Sequence, residues 1–167
     1  MNQVKRLTEL LQEKAEGFEQ SHPQNPCKYK STQALVLAYG IPFSKQAKLK
    51  FRGEVNSCYK NCYQLVIRHK NLHYCEGYAT SNELDMAVPH AWLVDETWAV
   101  VEPTWTNLEL EEVAYFGVVL TPSFLRQMAL KSKVYGVLEE DYRFGHLLKK
   151  EGFPSGALHP LFHKNHA

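Results

Sequence analysis

Residues 72–102, with the sequence LHYCEGYATSNELDMAVPHAWLVDETWAVVE, decide the fold class of this chain. Aromatic and β-branched residues dominate the stretch, which is typical of strands. Three strands are expected within this stretch and one after it. They are Leu72 to Thr80, Pro89 to Val94, Trp98 to Glu102 and Val113 to Leu120. Because no helix is predicted between consecutive strands, we expect an antiparallel sheet and an α+β fold.

Helices are expected on both sides of these strands. Apolar residues recur at helical spacing from Val4 to Phe18, and Ser31 to Tyr39 predicts a second, shorter helix. A helix from Thr121 to about Lys133 and a short one around Gly145 to Lys150 follow the strands. Basic and apolar residues alternate from Lys45 to Arg52, which predicts a further strand with one solvated face.

A central helix is expected from Cys58 to about Lys70, because Asn56 and Ser57 are both good N-cap residues. A thiol in the first turn of a helix feels the positive end of the helix dipole and unpaired backbone N–H groups, which favour the thiolate. Cys58 is therefore the candidate nucleophile. Cys62 lies one turn deeper on the same apolar stripe and is expected to be a buried structural thiol.

A thiolate that attacks a carbonyl needs an imidazole to carry the proton and a third group to orient the ring. His90 and Glu102 lie on adjacent predicted strands and can fill these roles. A hairpin that closes through residues 95–97 would pair Val94 with Trp98 and His90 with Glu102, on one face of the sheet. A two-residue turn would put Glu102 on the other face, so the chemistry predicts the three-residue loop.

Zinc is the competing interpretation of the thiols and imidazoles. The residues that could contribute ligands are Cys58, Cys62, His73, Cys75 and His90. Structural zinc sites usually use short Cys-x-x-Cys knuckles, whereas these residues are spread along one helix and two strands. We therefore expect no metal and no cofactor. The C-terminal histidines, which are expected to be solvated, are His159, His163 and His166.

Composition limits the partners and the location. The chain has 167 residues, with 19 basic and 18 acidic side chains and a net charge of +1, so no large field would recruit nucleic acid. No apolar run approaches the roughly 18 residues of a membrane span, and no signal peptide is recognised. We expect a cytoplasmic protein that binds neither nucleic acid nor a membrane, with its four cysteines reduced.

Four short motifs resemble the transglutaminase-like superfamily, a branch of the papain-type cysteine-nucleophile fold. They are the helix-start Cys58, Glu76-Gly77-Tyr78, His90-Ala91-Trp92 and Glu102-Pro103-Thr104-Trp105. The superfamily's pattern is a helix-start Cys, a Gly-Tyr strand, His-Ala-Trp and Asp-Pro-Thr, and the match spans roughly Asn56 to Trp105. Cys58 to Asn61 and Tyr115 to Val118 also resemble small bacterial and phage members. The departure is Glu102, where the family usually has Asp.

The resemblance implies a papain/transglutaminase-like fold, in which a central helix bearing the nucleophile packs on an antiparallel sheet. It implies a single transglutaminase-like domain over residues 1–167. Residues 1–52 would form an N-terminal scaffold, residues 53–120 the catalytic core, and residues 121–167 the C-terminal helices and tail. The resemblance also implies a Cys58 acyl-thioester, with His90 as the proton shuttle and Glu102 orienting it.

The expected activity is thiol acyl transfer that cleaves or exchanges an amide bond of a peptide, a protein or a small amide. Hydrolysis, by an amidase, deamidase or peptidase, is favoured over transamidation. Asn56 is a candidate oxyanion donor or only the helix cap, and Trp92 and Trp105 are candidates for cleft walls or for core packing. The alternative for the whole chain is a non-catalytic peptide- or protein-binding module on the same fold.

Overall fold

The strand β2 (Leu72–Ser81) lies in the middle of a five-stranded sheet. The computed structural model of the protein describes residues 3–48, 50–105 and 113–164. The other strands are β1 (Ile41–Phe43), β3 (Leu84–Asp95), β4 (Val100–Val101) and β5 (Ala114–Leu120). They are ordered β1-β5-β2-β3-β4, and every neighbouring pair is antiparallel. The predicted α+β fold with an antiparallel sheet is confirmed.

The helices begin close to where their capping residues predict. They are α1 (Gln3–Ser21), α2 (Thr32–Tyr39), α3 (Cys58–Arg68), α4 (Pro122–Ser132) and α5 (Leu147–Glu151), with a 3₁₀ helix at Asp141–Phe144. The Ser31 side chain caps α2 by accepting a hydrogen bond from Ala34 N. Thr121 caps α4 in the same way, and Pro122 fits the first turn, where no N–H is needed.

The strands β2, β4 and β5 and the second half of β3 are buried on both faces. Successive side chains of a strand point to opposite faces, so each strand contributes to two groups of apolar residues. The first core cluster joins the sheet to the helices and includes Leu7, Leu35, Cys62, Tyr74, Leu93, Phe116 and Leu125. The second core cluster lies on the other face and includes Phe43, Cys75, Trp92, Tyr115, Val119 and Phe162. The C-terminal segment, through Phe162, thus covers the face without helices.

The strand predicted from Lys45 to Arg52 is wrong. Within the described part of that stretch, the sheet contact is a single parallel bridge between Gln46 and Val100. Val100 N donates to Lys45 O at 2.7 Å, and Ala47 N donates to Val100 O at 2.8 Å. The neighbouring strand β4 has only two residues, so it offers too few backbone partners for a longer strand. The rest of the described stretch is therefore irregular, despite its alternating sequence.

The predicted register of the β3–β4 hairpin is wrong by two residues. Val94 pairs with Val100, and Leu93 with Val101. The loop has three residues as expected, but they are residues 96–98. Trp98 adopts a left-handed backbone with φ of 66°, and the Asp95 carboxylate accepts hydrogen bonds from the backbone N–H of residues 97 and 99. An Asp turn followed by a left-handed residue is a common three-residue hairpin loop. Because the loop keeps its length, the partner of each β3 residue shifts by two positions, which is an even number.

The hydropathy of the helices bears on whether any of them could cross a membrane. None of the helices in the described parts of the chain combines the length and the apolar character that crossing a membrane requires.

Candidate functional site

Cys58 is the first residue of α3, as its sequence context predicts. Ser57 occupies the N-cap position, but its side chain makes no capping hydrogen bond to the helix. The first backbone N–H groups of a helix have no intrahelical acceptor, and they leave a positive partial charge beside the thiol. Cys58 is only partly buried, in contrast to the other three cysteines.

His90 and Glu102 lie on the same face of the sheet, as predicted, and contact each other directly. His90 Nε2 is 2.8 Å from Glu102 Oε2, and both side chains are almost completely buried. The register places Glu102 diagonally from His90 rather than directly opposite. Diagonal side chains remain within reach when they are long. The extra methylene of glutamate, compared with aspartate, adds to this reach.

The Glu102 carboxylate accepts four hydrogen bonds. Oε2 accepts from the Tyr115 hydroxyl at 3.0 Å in addition to His90. Oε1 accepts from Thr104 N at 2.8 Å and from Trp105 N at 3.1 Å. Burial would raise the pKa of Glu102, but the hydrogen bond and charge of His90 and the two backbone donors lower it below its ordinary value. The carboxylate is therefore ionised and fixed in position.

The Cys58 thiol completes the arrangement, because it lies close enough to the His90 ring to raise the pKa of the imidazole. Since Glu102 contacts Nε2, Nδ1 is the nitrogen left for Cys58. Burial alone would lower the pKa of His90, but hydrogen bonds to Cys58 and Glu102 and the charge of Glu102 raise it to about 9. An imidazole with that pKa is protonated at pH 7 and donates through both nitrogens.

Aromatic rings enclose the imidazole. Trp105 stacks on His90 with ring centroids 4.1 Å apart and an interplanar angle of 22°. Trp105 is half-buried, so one of its faces lies at the site and part of it reaches solvent. Trp92 is nearly parallel to His90 at 6.5 Å but is fully buried in the second core cluster. Trp92 is thus a packing residue, while Trp105 covers the imidazole.

Glycines make room for this packing. Gly77 and Gly117 pair with each other in the sheet, and Gly77 also pairs with His90, so the three residues form one row. A Cβ on Gly117 would lie 2.7 Å from the tip of the Trp92 ring and 2.2 Å from the Glu76 carbonyl oxygen. The absence of a side chain at residue 117 therefore lets Trp92 lie across the sheet beside His90.

Asn61 links the start of α3 to the segment that carries Glu102. Its Nδ2 donates to Thr104 Oγ1 at 2.9 Å and to Glu54 O at 2.8 Å, and its Oδ1 accepts from Glu54 N at 3.0 Å. Gly53 N also donates to Pro103 O at 2.7 Å. These bonds hold the loop before Cys58 against the residues after Glu102.

The other thiols and Asn56 lie outside this arrangement of Cys58, His90 and Glu102. Cys62 is in the first core cluster and Cys75 in the second, and burial raises the pKa of both thiols well above the ordinary value. Within the described ranges, no group of three or more His, Cys, Asp or Glu side chains could hold a metal ion. Asn56 is exposed and has a left-handed backbone, with φ of 57°.

The tail histidines are not all solvated, contrary to expectation. His163 is 3% exposed, and its Nε2 accepts a hydrogen bond from Val119 N at 2.9 Å. His159 is partly buried and packs edge-on against His73, with ring centroids 4.4 Å apart. Both fold back onto the sheet because Phe162 anchors the segment in the second core cluster. His166 lies outside the described residues.

Sequence reasoning missed two residues of the site, Tyr115 and Asn61. Tyr115 is on β5, three strands away from the Glu102 segment in the strand order, and no local pattern predicts that contact. Asn61 has a weak signal, since it ends the Cys58 to Asn61 motif noted above. A polar residue three positions after Cys58, beside an apolar stripe, could have marked it.

Comparison of the chain with models of protein families, with curated proteins and with solved structures finds no match. The family resemblance carried by the motifs around Cys58, His90 and Glu102 therefore stays a prediction.

Proposed function

We propose that the protein is a thiol acyl-transfer enzyme that acts on an amide bond, with Cys58 as nucleophile, His90 as proton carrier and Glu102 as the group that orients His90. One observation carries the proposal: the buried His90 ring is 2.8 Å from an ionised carboxylate and lies beside a helix-start thiol that helps to raise the pKa of the imidazole. An arrangement of nucleophile, base and orienting group in hydrogen-bond contact is the pattern of nucleophilic catalysis.

The steps follow from the atoms in contact. The Cys58 sulfur attacks the amide carbonyl carbon, and the electron pair of the C=O bond moves to the oxygen. The Cys58 backbone N–H at the helix start is the nearest candidate to stabilise that oxyanion. When the intermediate collapses, the C–N bond breaks and His90 gives its Nδ1 proton to the leaving amine. Glu102 keeps Nε2–H engaged throughout, so that the ring presents Nδ1 to the reacting atoms.

The second half returns the enzyme to its starting state. Neutral His90 takes a proton from water, the hydroxide attacks the thioester carbon, and the acid leaves as the Cys58 thiolate is released. An amine in place of water would give transamidation. We favour hydrolysis of a peptide, protein or small amide, on a papain/transglutaminase-like fold. The four cysteines are all free thiols, which supports a reducing, cytoplasmic location.

The proposal is tested with p-nitrophenyl acetate, an activated ester that acylates a reactive thiolate without requiring the natural substrate. We expect a burst of p-nitrophenol and an acetyl group on Cys58, located by peptide mass spectrometry. Cys58→Ala removes both the burst and the adduct, whereas Cys62→Ala, the matched control one helical turn deeper, retains them.

Two outcomes count against the proposal. Acetylation spread equally over Cys58 and surface lysines would mean that the thiol has no special reactivity. Loss of the burst in folded Cys62→Ala, with Cys58→Ala still active, would move the nucleophile by one turn. The first outcome would favour the non-catalytic binding module, in which the same three side chains have only a structural role.

A further inference from the structure

A second concave site lies at the opposite end of α3 from Cys58. The C-terminal half of α3 and the first turns of α4 form its two walls, and the start of β2 and His159 close it. The cavity has a volume of about 340 Å³. This is within the size range of small-molecule pockets, which begins at about 300 Å³. Cys58 and Ile67 are nine residues apart along the helix, which corresponds to roughly 14 Å.

The floor of this pocket is apolar. Leu72 and Leu125 are almost completely buried and present their side chains to the cavity, while Val66 is partly buried. Ile67 is 58% exposed at the rim, which is a large apolar surface to leave in water. Burying such a surface under a ligand is favourable by about 25 cal/mol per Å². The pocket therefore favours a compact apolar group at its base.

The charged side chains around the pocket are all basic. Lys70 lies two residues after the end of α3 and Arg126 lies on α4, and no aspartate or glutamate lines the cavity. Neither cation forms an ion pair with any residue in the described parts of the chain. The charges of Glu96 and Asp95, near the end of β3, act on the His73 side of the pocket.

Two imidazoles add neutral hydrogen-bonding groups. His73 and His159 line the cavity. Burial lowers the pKa of both rings, so they are uncharged at pH 7. The Nδ1 of His159 accepts a hydrogen bond from Leu161 N at 3.3 Å, which leaves its Nε2–H as a donor. The polar side chains that line this pocket are thus two cations, two imidazoles and the phenol of Tyr63.

We propose that this pocket binds a small organic anion, a carboxylate carried on a compact apolar body. The apolar part would lie against Leu125, Val66 and Ile67, and the carboxylate would reach Arg126 and Lys70. The planar guanidinium of Arg126 matches a carboxylate with two parallel hydrogen bonds, so it supplies most of the specificity. The site is separate from Cys58, His90 and Glu102 and does not depend on their proposed chemistry.

The experiment is a titration of the whole chain, followed by amide chemical shifts in NMR spectra. The probes are 3-phenylpropionate, its uncharged analogue 3-phenylpropionamide, and acetate. We expect saturable shifts at α3, α4 and His73 with 3-phenylpropionate at millimolar concentrations or below. The amide lacks the charge and acetate lacks the apolar body, so each binds roughly tenfold more weakly.

Variants locate the charge and the apolar floor. Arg126→Gln weakens binding of 3-phenylpropionate roughly tenfold, whereas Arg68→Gln, which removes an exposed cation of α3 outside the pocket, leaves it unchanged. Ile67→Trp fills the rim without disturbing the core and abolishes the shifts. The proposal is overturned by an absence of shifts, by equal binding of the acid and the amide, or by equal effects of the two arginine variants.

Discussion

Glu102 is the residue on which the candidate site depends most, because four donors converge on one buried carboxylate. Glu102→Gln replaces one acceptor oxygen by a donor, so at least one of these bonds is lost. We expect a large decrease in p-nitrophenyl acetate turnover, smaller than for Cys58→Ala, because the glutamine can still hold the ring partly in place. Unfolding should become easier by about 1 to 3 kcal/mol.

The control for this variant is Glu96→Gln, which changes an exposed carboxylate in the nearby hairpin loop. It should alter neither turnover nor the free energy of unfolding. A Glu102→Gln protein with wild-type turnover and an unchanged pH profile would mean that Glu102 is structural and that another group orients His90.

Tyr115 is a positioning residue in this account, since its hydroxyl contacts Glu102 rather than the reacting atoms. Tyr115→Phe keeps the ring and removes one hydrogen bond, with an expected cost of about 1 kcal/mol. The alkaline limb of the turnover profile should move to lower pH, because a less firmly held carboxylate supports imidazolium less. A profile that superimposes on the wild-type profile would limit Tyr115 to packing.

The matched control is Tyr78→Phe. The Tyr78 hydroxyl donates to Glu139 Oε1 at 3.0 Å, so this variant also removes one partly buried tyrosine–glutamate hydrogen bond, away from His90. It should cost a similar free energy of unfolding and leave the pH profile unchanged.

The residues of the site were predictable only where a rule of local sequence applied. Cys58 follows from a capping signal, and the contact between His90 and Glu102 follows from strand parity. The prediction that both side chains share one face held despite the wrong register, because the pairing shifted by two residues and not by one. Tyr115 was not predictable, because its contact with Glu102 depends on which strands are neighbours and on a hydroxyl direction that no local pattern encodes.

At the scale of elements, the position of Cys58 depends on how the start of α3 is held. Asn61 makes three hydrogen bonds that join the loop before the helix to the Glu102–Trp105 segment. Asn61→Ala removes all three and leaves the backbone N–H and C=O of Glu54 without this partner. We expect a loss of about 2 kcal/mol in stability and a decrease in turnover that exceeds the loss of folded protein.

Lys60→Ala is the control, because Lys60 is the preceding residue and pairs with the Glu54 side chain through an exposed salt bridge. Exposed salt bridges contribute little, so stability and turnover should stay close to wild type. If both variants behave alike, or if folded Asn61→Ala turns over normally, the Asn61 bonds do not position Cys58.

Elements with strong local signals were predicted well, and those defined by distant partners were not. The predicted helices and the strands β2 and β5 occur within a few residues of their expected limits. The segment from Lys45 to Arg52 has a strand-like alternation, but a strand needs a partner of similar length. Its available neighbour, β4, has only two residues, because the Asp95–Trp98 loop precedes it and Glu102, directly after it, accepts hydrogen bonds from Thr104 N and Trp105 N.

At the scale of the whole molecule, His90 should make stability depend on alkaline pH. Its pKa is about 9 in the folded protein and near 6.5 in an unfolded chain. A raised folded pKa means that the stabilisation is complete below pH 6.5 and is lost as the pH rises through 9. The expected loss is on the order of 2 kcal/mol between pH 7 and the alkaline limit.

Chemical denaturation at several pH values measures this dependence. His90→Gln should flatten the curve between pH 7 and 9.5, whereas His22→Gln, at an exposed position, should leave the wild-type slope. An identical slope in wild type and His90→Gln would mean that other groups, and not His90, carry the alkaline dependence.

Local sequence also could not predict that both faces of the sheet would be covered by other parts of the chain. The strand β2 is buried along nearly its whole length, because Phe162 and the C-terminal segment close the face that lacks helices. That closure is a packing event between residues far apart in sequence, and the apolar residues of the tail are too few to show a period.

The measurement that tests the central claim most directly is the site of alkylation by iodoacetamide at about pH 6, read by peptide mass spectrometry. A thiolate held by a helix start and an imidazolium reacts under these conditions, whereas ordinary buried thiols do not. We predict rapid labelling of Cys58 and little labelling of Cys27, Cys62 and Cys75, with the Cys58 rate greatly reduced in His90→Gln. Slow labelling of Cys58, or a rate that His90→Gln leaves unchanged, would contradict the account.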